Sequence, residues 1–326
     1  MNVNDVALVA IGRNEGERLR RCLDTVVGRA GIVVYVDSGS TDGSIDMARR
    51  KGVEVVELDM RQPFTAARAR NAGFSRVLER SPHVRWVQFV DGDCEVDSAW
   101  LPRAARFLAE NPRVAAVFGR RRERHPDRSV YNWLCDFDWN AAPGPSRYCG
   151  GDVMMRAAAL RAVGGYRDDL IAGEEPELCV RLRASSWLIH SLDAEMTLHD
   201  ADITRFGQWW VRTVRTGFAY AQGYDMHGAP PEHHRVRESR SLALWGLSLP
   251  FAALAGTALF GPWAAALLLV YPVQVARLAL KGTGTPRERL LRASFLVIGK
   301  FPEAQGALRY LRMRLLRRPA ALIEYK

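Results

Sequence analysis

Trp86-Val87-Gln88-Phe89-Val90-Asp91-Gly92-Asp93 decides how the rest of the chain is read. The apolar run from Trp86 to Val90 ends abruptly in two carboxylates one residue apart, which reads as a buried strand delivering acid to its tip. In open α/β sheets ligands sit beyond the carboxyl ends of the strands. Two aspartates there, with Gly92 between them to let backbone and ligand approach, suit the holding of a divalent cation against a diphosphate. Asp-Gly is also common turn chemistry, so the pair takes its meaning from what surrounds it.

Upstream, the same grammar repeats. Val6 to Ile11 is a short apolar strand that stops at the polar loop Gly12-Arg13-Asn14-Glu15-Gly16, and Leu19, Cys22, Leu23 and Val26 then follow at helical spacing. Ile32 to Val36 is a second buried strand, ending in Asp37-Ser38-Gly39-Ser40-Thr41-Asp42-Gly43, with a short helix before Gly52. Val53 to Leu58 supplies a third strand, and Thr65 to Arg80 a helix carrying Arg70-Asn71. Strands and helices alternating at this length predict an α/β, doubly wound, Rossmann-like sheet with right-handed crossovers. No Gly-x-Gly-x-x-Gly follows the first strand and no Gly-Lys-Ser/Thr loop occurs, which speaks against a dinucleotide oxidoreductase and against a P-loop enzyme.

Composition narrows the partners. The chain has 326 residues, is 48% hydrophobic and has a formal charge of +10. From Arg277 to Lys326 there are 12 Lys or Arg and 3 acids, which leaves only +1 for residues 1–276. Basicity confined to one end predicts an anionic surface beside it, phospholipid headgroups above all, and no nucleic-acid groove in the main domain. Five cysteines, odd in number and without a Cys-x-x-Cys pair, predict neither a zinc site nor a disulfide framework and fit a reducing cytoplasm. Met1 leads through polar residues into a strand with no charged-then-apolar leader, so export is not expected.

Taken together, Arg13-Asn14-Glu15, Val36-Asp37-Ser38-Gly39-Ser40-Thr41-Asp42, Arg70-Asn71-Ala72-Gly73 and Asp91-Gly92-Asp93 resemble the family 2 glycosyltransferases of GT-A fold, in the bacterial membrane-associated form. Each piece is weak, but four in order within one hundred residues are strong. Gly150-Gly151-Asp152, the strand-like Val153-Met154-Met155, a helix ending at Gly164-Gly165-Tyr166 and Gly173-Glu174-Glu175 resemble the acceptor half of that domain, so that the likeness runs from Val6 to Asp202. The resemblance implies a metal-dependent, hexosyltransferase-type enzyme that uses a nucleoside-diphosphate-sugar and inverts the anomeric centre. It implies donor contacts from Asn14, Glu15, Asp37, Arg70 and Asp91. Mn2+ or Mg2+ would be held by Asp93 with Asp91 and His199. Glu175 would be the base, with Glu174 as the other choice; the family usually has Glu-Asp here, so Glu175 is one methylene longer than the residue it matches. Pro176 suits a first helical position, which would put Glu175 at the helix cap.

Beyond Asp202 the likeness becomes generic. Thr204 to Tyr224 reads as an aromatic helix with Arg205, Arg212 and Arg215, packed on the catalytic domain or lying at an interface. His227, His233 and His234 flank Pro230-Pro231 in a loop and are expected to be solvated. Ser241 to Ala276 holds 36 positions without a charge, split near its middle by Gly261-Pro262, and both flanks are basic. The positive-inside rule then predicts a hairpin over 241–280 with both ends cytoplasmic, spanning or re-entrant, followed by a basic amphipathic tail over 290–326. The expected organisation is a GT-A domain over 1–225 and a helical membrane-associated region over 226–326, at the cytoplasmic side of the inner (plasma) membrane. The acceptor would be a polyprenyl phosphate, a polyprenyl-linked saccharide or a growing polysaccharide. A sugar-nucleotide nucleotidyltransferase could share the acidic site, but the missing Gly-rich loop and the apolar segment count against it. A non-catalytic scaffold is disfavoured by Asp37, Asp91, Asp93 and Glu175 standing together.

Overall fold

The computed structural model describes residues 2–317, so the expected tail beyond Arg317 lies outside the described residues. The chain forms two compact units that meet between Thr204 and Arg205. In the first, β1 (Val6–Gly12), α1 (Glu17–Val26), β2 (Ile32–Asp37), α2 (Ser44–Arg50), β3 (Glu54–Glu57), α3 (Ala66–Arg80) and β4 (Trp86–Asp91) alternate as expected. β1 runs parallel to both β2 and β4, and β2 is parallel to β3. Val6 to Ile11 of β1 is buried throughout, and Leu19, Cys22, Leu23 and Val26 of α1 pack into the same core. Each buried Val, Leu or Ile among them stabilises the fold by about 1.5–3 kcal/mol. Thr65 caps α3 by accepting from the Arg68 amide at 3.1 Å.

The remaining strands turn this parallel half into a mixed sheet. They are β5 (Cys94–Val96), β6 (Val114–Glu123), β7 (Gly144–Ser146), β8 (Val153–Arg156) and β9 (Leu188–His199), with α4 (Trp100–Glu110), α5 (Val130–Asp138), α6 (Ala157–Ala162) and α7 (Glu174–Ala184) between them. The order is β3-β2-β1-β4-β8-β6-β9-β5, with β7 also on β9. β8 is antiparallel to β4 and β6, whereas β6 and β9 are parallel. β5 leaves the Asp91-Gly92-Asp93 turn at once and pairs antiparallel with the end of β9, setting Cys94 opposite His199. On its other side His199 is in register with Glu123, the last residue of β6. The tips of β4, β6 and β9 therefore converge on one edge of the sheet.

The second unit is helical: α8 (Phe206–His227), α9 (Val236–Ala243), α10 (Leu249–Phe260), α11 (Val270–Lys281), α12 (Pro286–Ile298) and α13 (Lys300–Leu315). α8, expected to close a first domain ending at 225, belongs here. It packs on α13 so closely that a Cβ on Gly217 would lie 1.9 Å from the Glu303 carbonyl oxygen, and one on Gly306 2.0 Å from that of Val214. Phe218 meets Tyr310 edge-on at 5.4 Å, and the Tyr310 hydroxyl donates to Asp225 at 2.6 Å. The expectation of solvated loop histidines fails for His234, which is buried with its ring against Gly223. A π-helical turn, Leu244–Ser248, joins α9 to α10 into a helix over Val236–Phe260, and Gly261-Pro262 then breaks the chain as predicted. The second arm, Pro262–Lys281, begins as a 3-10 helix over Pro262–Leu269. Both arms are long and apolar enough to cross a membrane. Their outer faces are open, with Phe251 72% and Leu280 81% exposed.

Candidate active site

Two polar clusters form at the converging strand tips. The first is built on Arg70, whose side chain is only 3% exposed and lies among three carboxylates. Its guanidinium reaches Glu174 at 2.8 Å, Asp91 at 3.0 Å and Glu175 at 3.4 Å, and it stacks on Tyr166 at 5.6 Å. The next residue, Asn71, faces the other way. It donates to the Tyr166 carbonyl and to Asp168, both at 2.7 Å, and accepts from the Tyr166 amide at 2.9 Å. One turn of α3 thus holds the strand-tip acid with one residue and the loop leading to Glu174-Glu175 with the other. Gly151 is where these groups meet: a Cβ there would come within 2.5 Å of Arg70 Nη2, 3.0 Å of Glu175 Oε1 and 3.4 Å of Asp91 Oδ2. Any larger residue would push the carboxylates apart.

Within this cluster the two glutamates differ. Glu174 is buried and bonded to Arg70, whereas the Glu175 side chain is 16% exposed. Burial, aided by the Glu174 charge and only partly offset by Arg70, pushes the Glu175 carboxyl up to about 7. Asp91 responds oppositely. Burial would raise it, but Arg70 and Arg121 outweigh that and hold it below the usual carboxylate range. Helix α7 begins at Glu174 with Gly173 as its cap, so Pro176 is the third helical residue rather than the first and Glu175 lies inside the first turn. Proline is tolerated there because the first amides of a helix have no partner within it.

The second cluster surrounds His199. Its Nε2 is 3.3 Å from Asp93 Oδ1 and its Nδ1 is 3.5 Å from Glu123 Oε2, while Trp139 meets the ring edge-on at 4.6 Å. Arg121 bridges the clusters. It contacts Asp91 at 3.2 Å and Asp152 at 3.5 Å, and lies over Trp139 at 4.6 Å. Asp152 in turn accepts from the Asp91 amide at 3.0 Å and from the Thr197 hydroxyl at 2.7 Å. Asp93 and His199 supply carboxylate and imidazole donors to one point, a set that fits a divalent transition-metal cation such as Mn2+ better than Mg2+, which prefers oxygen alone. Cys94 lies within the same group, but a soft sulfur donor is poorly matched to a hard cation. Asp91 is not in that group; its carboxylate faces the two arginines and falls instead with Cys94 and Asp152.

The other expected donor contacts line the β1 and β2 tips. The Asn14 amide donates to Ser40 Oγ at 2.8 Å and its side chain accepts from the Thr41 amide at 2.8 Å, which stitches the two loops into one wall. Glu15 pairs with Arg18 at 2.9 Å and runs beside Gly12 and Gly92. Asp37 is buried, accepting from the Gly39 and Ser40 amides at 2.8 and 2.7 Å and from the Tyr35 hydroxyl at 2.8 Å. It therefore shapes the turn that carries the wall. Arg121, Glu123, Trp139 and Asp152 complete the site without having been singled out as site residues from the sequence.

A mixed sheet with acids at its converging strand tips, opposed by a second carboxylate pair on a helix start, is the arrangement of GT-A-type glycosyltransferases. Residues 9–147 match the model described as glycosyl transferase family 2. Among solved structures, it is similar to the mannosyltransferase PcManGT from Pyrobaculum calidifontis in complex with GDP-Man and Mn2+. There the identity is 19%, with 94% of this chain and 87% of that one covered and a TM-score of 0.62. It is also similar to S. aureus TarS, at 14% identity over 92% of this chain and 54% of that one, with a TM-score of 0.50. No curated protein sequence matches significantly. At these identities the likeness to solved structures concerns the fold.

Proposed function

We propose that the protein transfers a hexosyl group from a nucleoside-diphosphate-sugar, with inversion, to a lipid-linked or polysaccharide acceptor at the cytoplasmic face of the membrane. The observation that carries this reading is Glu175, a carboxylate at the edge of solvent whose proton affinity is tuned close to neutrality. A carboxyl whose proton affinity is raised towards neutrality is a stronger base than an ordinary carboxylate, which is what an attacking hydroxyl requires. Glu175 takes the proton of the acceptor hydroxyl as its oxygen bonds to the anomeric carbon, while the bond from that carbon to the diphosphate oxygen breaks on the opposite face. One displacement with one base inverts the configuration. Glu174, tied to Arg70, holds the base in place rather than sharing its role.

Asp93 and His199 would hold the cation, with Asp91 as the further carboxylate close by, and a bound Mn2+ or Mg2+ supplies positive charge against the diphosphate. Asn14, Glu15 and Asp37 would form the nucleotide side of the donor site, and Arg70 would keep Asp91 aligned beneath it. PcManGT, whose structure is a complex with GDP-Man and Mn2+, supports a nucleotide-sugar donor and a divalent cation. The open apolar arms over Val236–Phe260 and Pro262–Lys281, with arginines before and after them, support a membrane-bound acceptor.

Full-length protein purified in detergent and offered a panel of sugar nucleotides with Mn2+ or Mg2+ tests the proposal. One donor should be turned over, and NMR of the product should show the anomer opposite to the donor. Retention of configuration overturns the single-base mechanism, and failure to bind any sugar nucleotide overturns the donor class.

A further inference from the structure

His199 is useful to a cation only if its Nε2 presents a lone pair towards Asp93, which requires the ring proton to sit on Nδ1. The group facing Nδ1 is Glu123, and its carboxylate is unusually constrained. Oε1 accepts from the His125 amide and from Asn132 Nδ2, both at 3.1 Å, and Oε2 accepts from the Ala201 amide at 3.0 Å. Asn132 is itself buried, is anchored near the start of α5 by Ser129 and accepts from the Ile203 amide at 3.0 Å. Three anchors therefore aim one oxygen at the imidazole, while Trp139 closes the ring's side. Strand register supplies the placement, since Glu123 ends β6 directly beside His199 at the end of β9. Buried acid of this kind costs stability unless it is bonded, and all of its bonds converge on orienting the histidine.

We infer that Glu123 is a positioning residue for the cation site, fixing His199 with its proton on Nδ1 and its Nε2 lone pair beside Asp93. Glu123 does not touch donor, acceptor or ion, and acts only through the ring. The inference rests on the assignment of Asp93 and His199 as cation ligands, so the test separates the two.

Mn2+ binding to the full-length protein without donor, followed through the EPR signal of free Mn2+, is measured for wild type, Glu123→Gln, His199→Ala and the double variant. Loss of an outer carboxylate behind a ligating histidine weakens metal binding by about 10- to 100-fold. Glu123→Gln should show that loss in the wild-type background and less than about a twofold change once His199 is alanine, because a residue acting through the ring has nothing left to act on. An equal loss in both backgrounds, or no loss in either, overturns the inference while leaving the ligands standing. Unchanged Mn2+ affinity in His199→Ala overturns the ligand assignment and the inference with it. Asn132→Ala, which keeps the Glu123 charge but removes one of its anchors, gives a second reading should Glu123→Gln not fold. It should weaken Mn2+ binding in the same direction, by less, and again only when His199 is present.

Discussion

Glu175→Gln separates the cost of holding a base from its use. In the folded protein the Glu175 carboxyl titrates at about 7 against an ordinary value of 4.5, a difference equivalent to about 3 kcal/mol between its ionised and neutral forms. Because the folded value is the higher one, the folded state binds the proton more tightly than the unfolded chain does. Wild-type stability is therefore undiminished below about pH 4.5, falls as pH rises towards 7, and above that carries the full penalty. Glutamine is neutral at every pH and nearly isosteric. It should leave stability unchanged near pH 4.5 and raise it by up to about 3 kcal/mol at pH 8. Turnover should move the other way, falling by about 10²–10⁴-fold with donor affinity little altered, since the proton moves only as the acceptor attacks. Thermal melts at the two pH values, paired with steady-state kinetics, give both numbers. A variant whose gain over wild type is no larger at pH 8 than at pH 4.5 refutes the account of the carboxyl's surroundings. A crippled Glu174→Gln beside a nearly normal Glu175→Gln refutes the choice of base.

Three further outcomes are expected. Glu174→Gln removes the neighbouring charge that helps to raise Glu175, so the acid limb of its kcat/KM profile should move to lower pH; a limb that stays or rises counts against the coupling. Asp93→Ala should abolish metal-dependent donor binding while the fold survives, and calorimetry with and without Mn2+ that shows wild-type affinity sinks its role as a ligand. The protein should sediment with membranes and resist extraction by high salt or alkali, because apolar burial is indifferent to screening. Cysteines placed at Ser239, in the first turn of the first arm, and at Thr283, just past the second, should label from the same, cytoplasmic side, and labelling from opposite sides overturns the hairpin.

Much of the catalytic sheet was legible because parallel strands buried on both faces read as continuous apolar runs. β1, β2 and β4 announce themselves this way, and each carries its polar residues at the tip where a ligand would lie. The stretch between Asp93 and Gly150 was not read, and the reason is visible in β6. It ends in Arg120-Arg121-Arg122-Glu123, a charge run that resembles a solvated surface. In the structure Arg121 and Glu123 turn inward and Arg122 is half exposed, but Arg120, paired with Asp136, is as buried as Arg121, and register shifts on either side of it break the alternation that would have marked a strand. Partners brought together by pairing of distant strands, such as Glu123 with His199, have no local signal at all. The expected boundary at 225 failed for a related reason: the aromatic face of α8 is apolar whichever neighbour it meets, and nothing in its own residues says that the neighbour is α13.

The first turn of α7 works as a calibrated dial. Gly173, with a φ of +79°, ends the preceding loop, and Pro176, which lacks an amide hydrogen, limits how far upstream the helix could grow. Gly173 marks the start of the helix, and a slip of one residue would swing the carboxylate by about 100° around the helix axis. The same turn presents unpaired amides whose partial positive charge favours an ionised acid, against the dry surroundings that favour a protonated one. Where this helix starts therefore fixes how deep the Glu175 carboxyl sits and how near it lies to Glu174 and Arg70, the surroundings that shift its proton affinity.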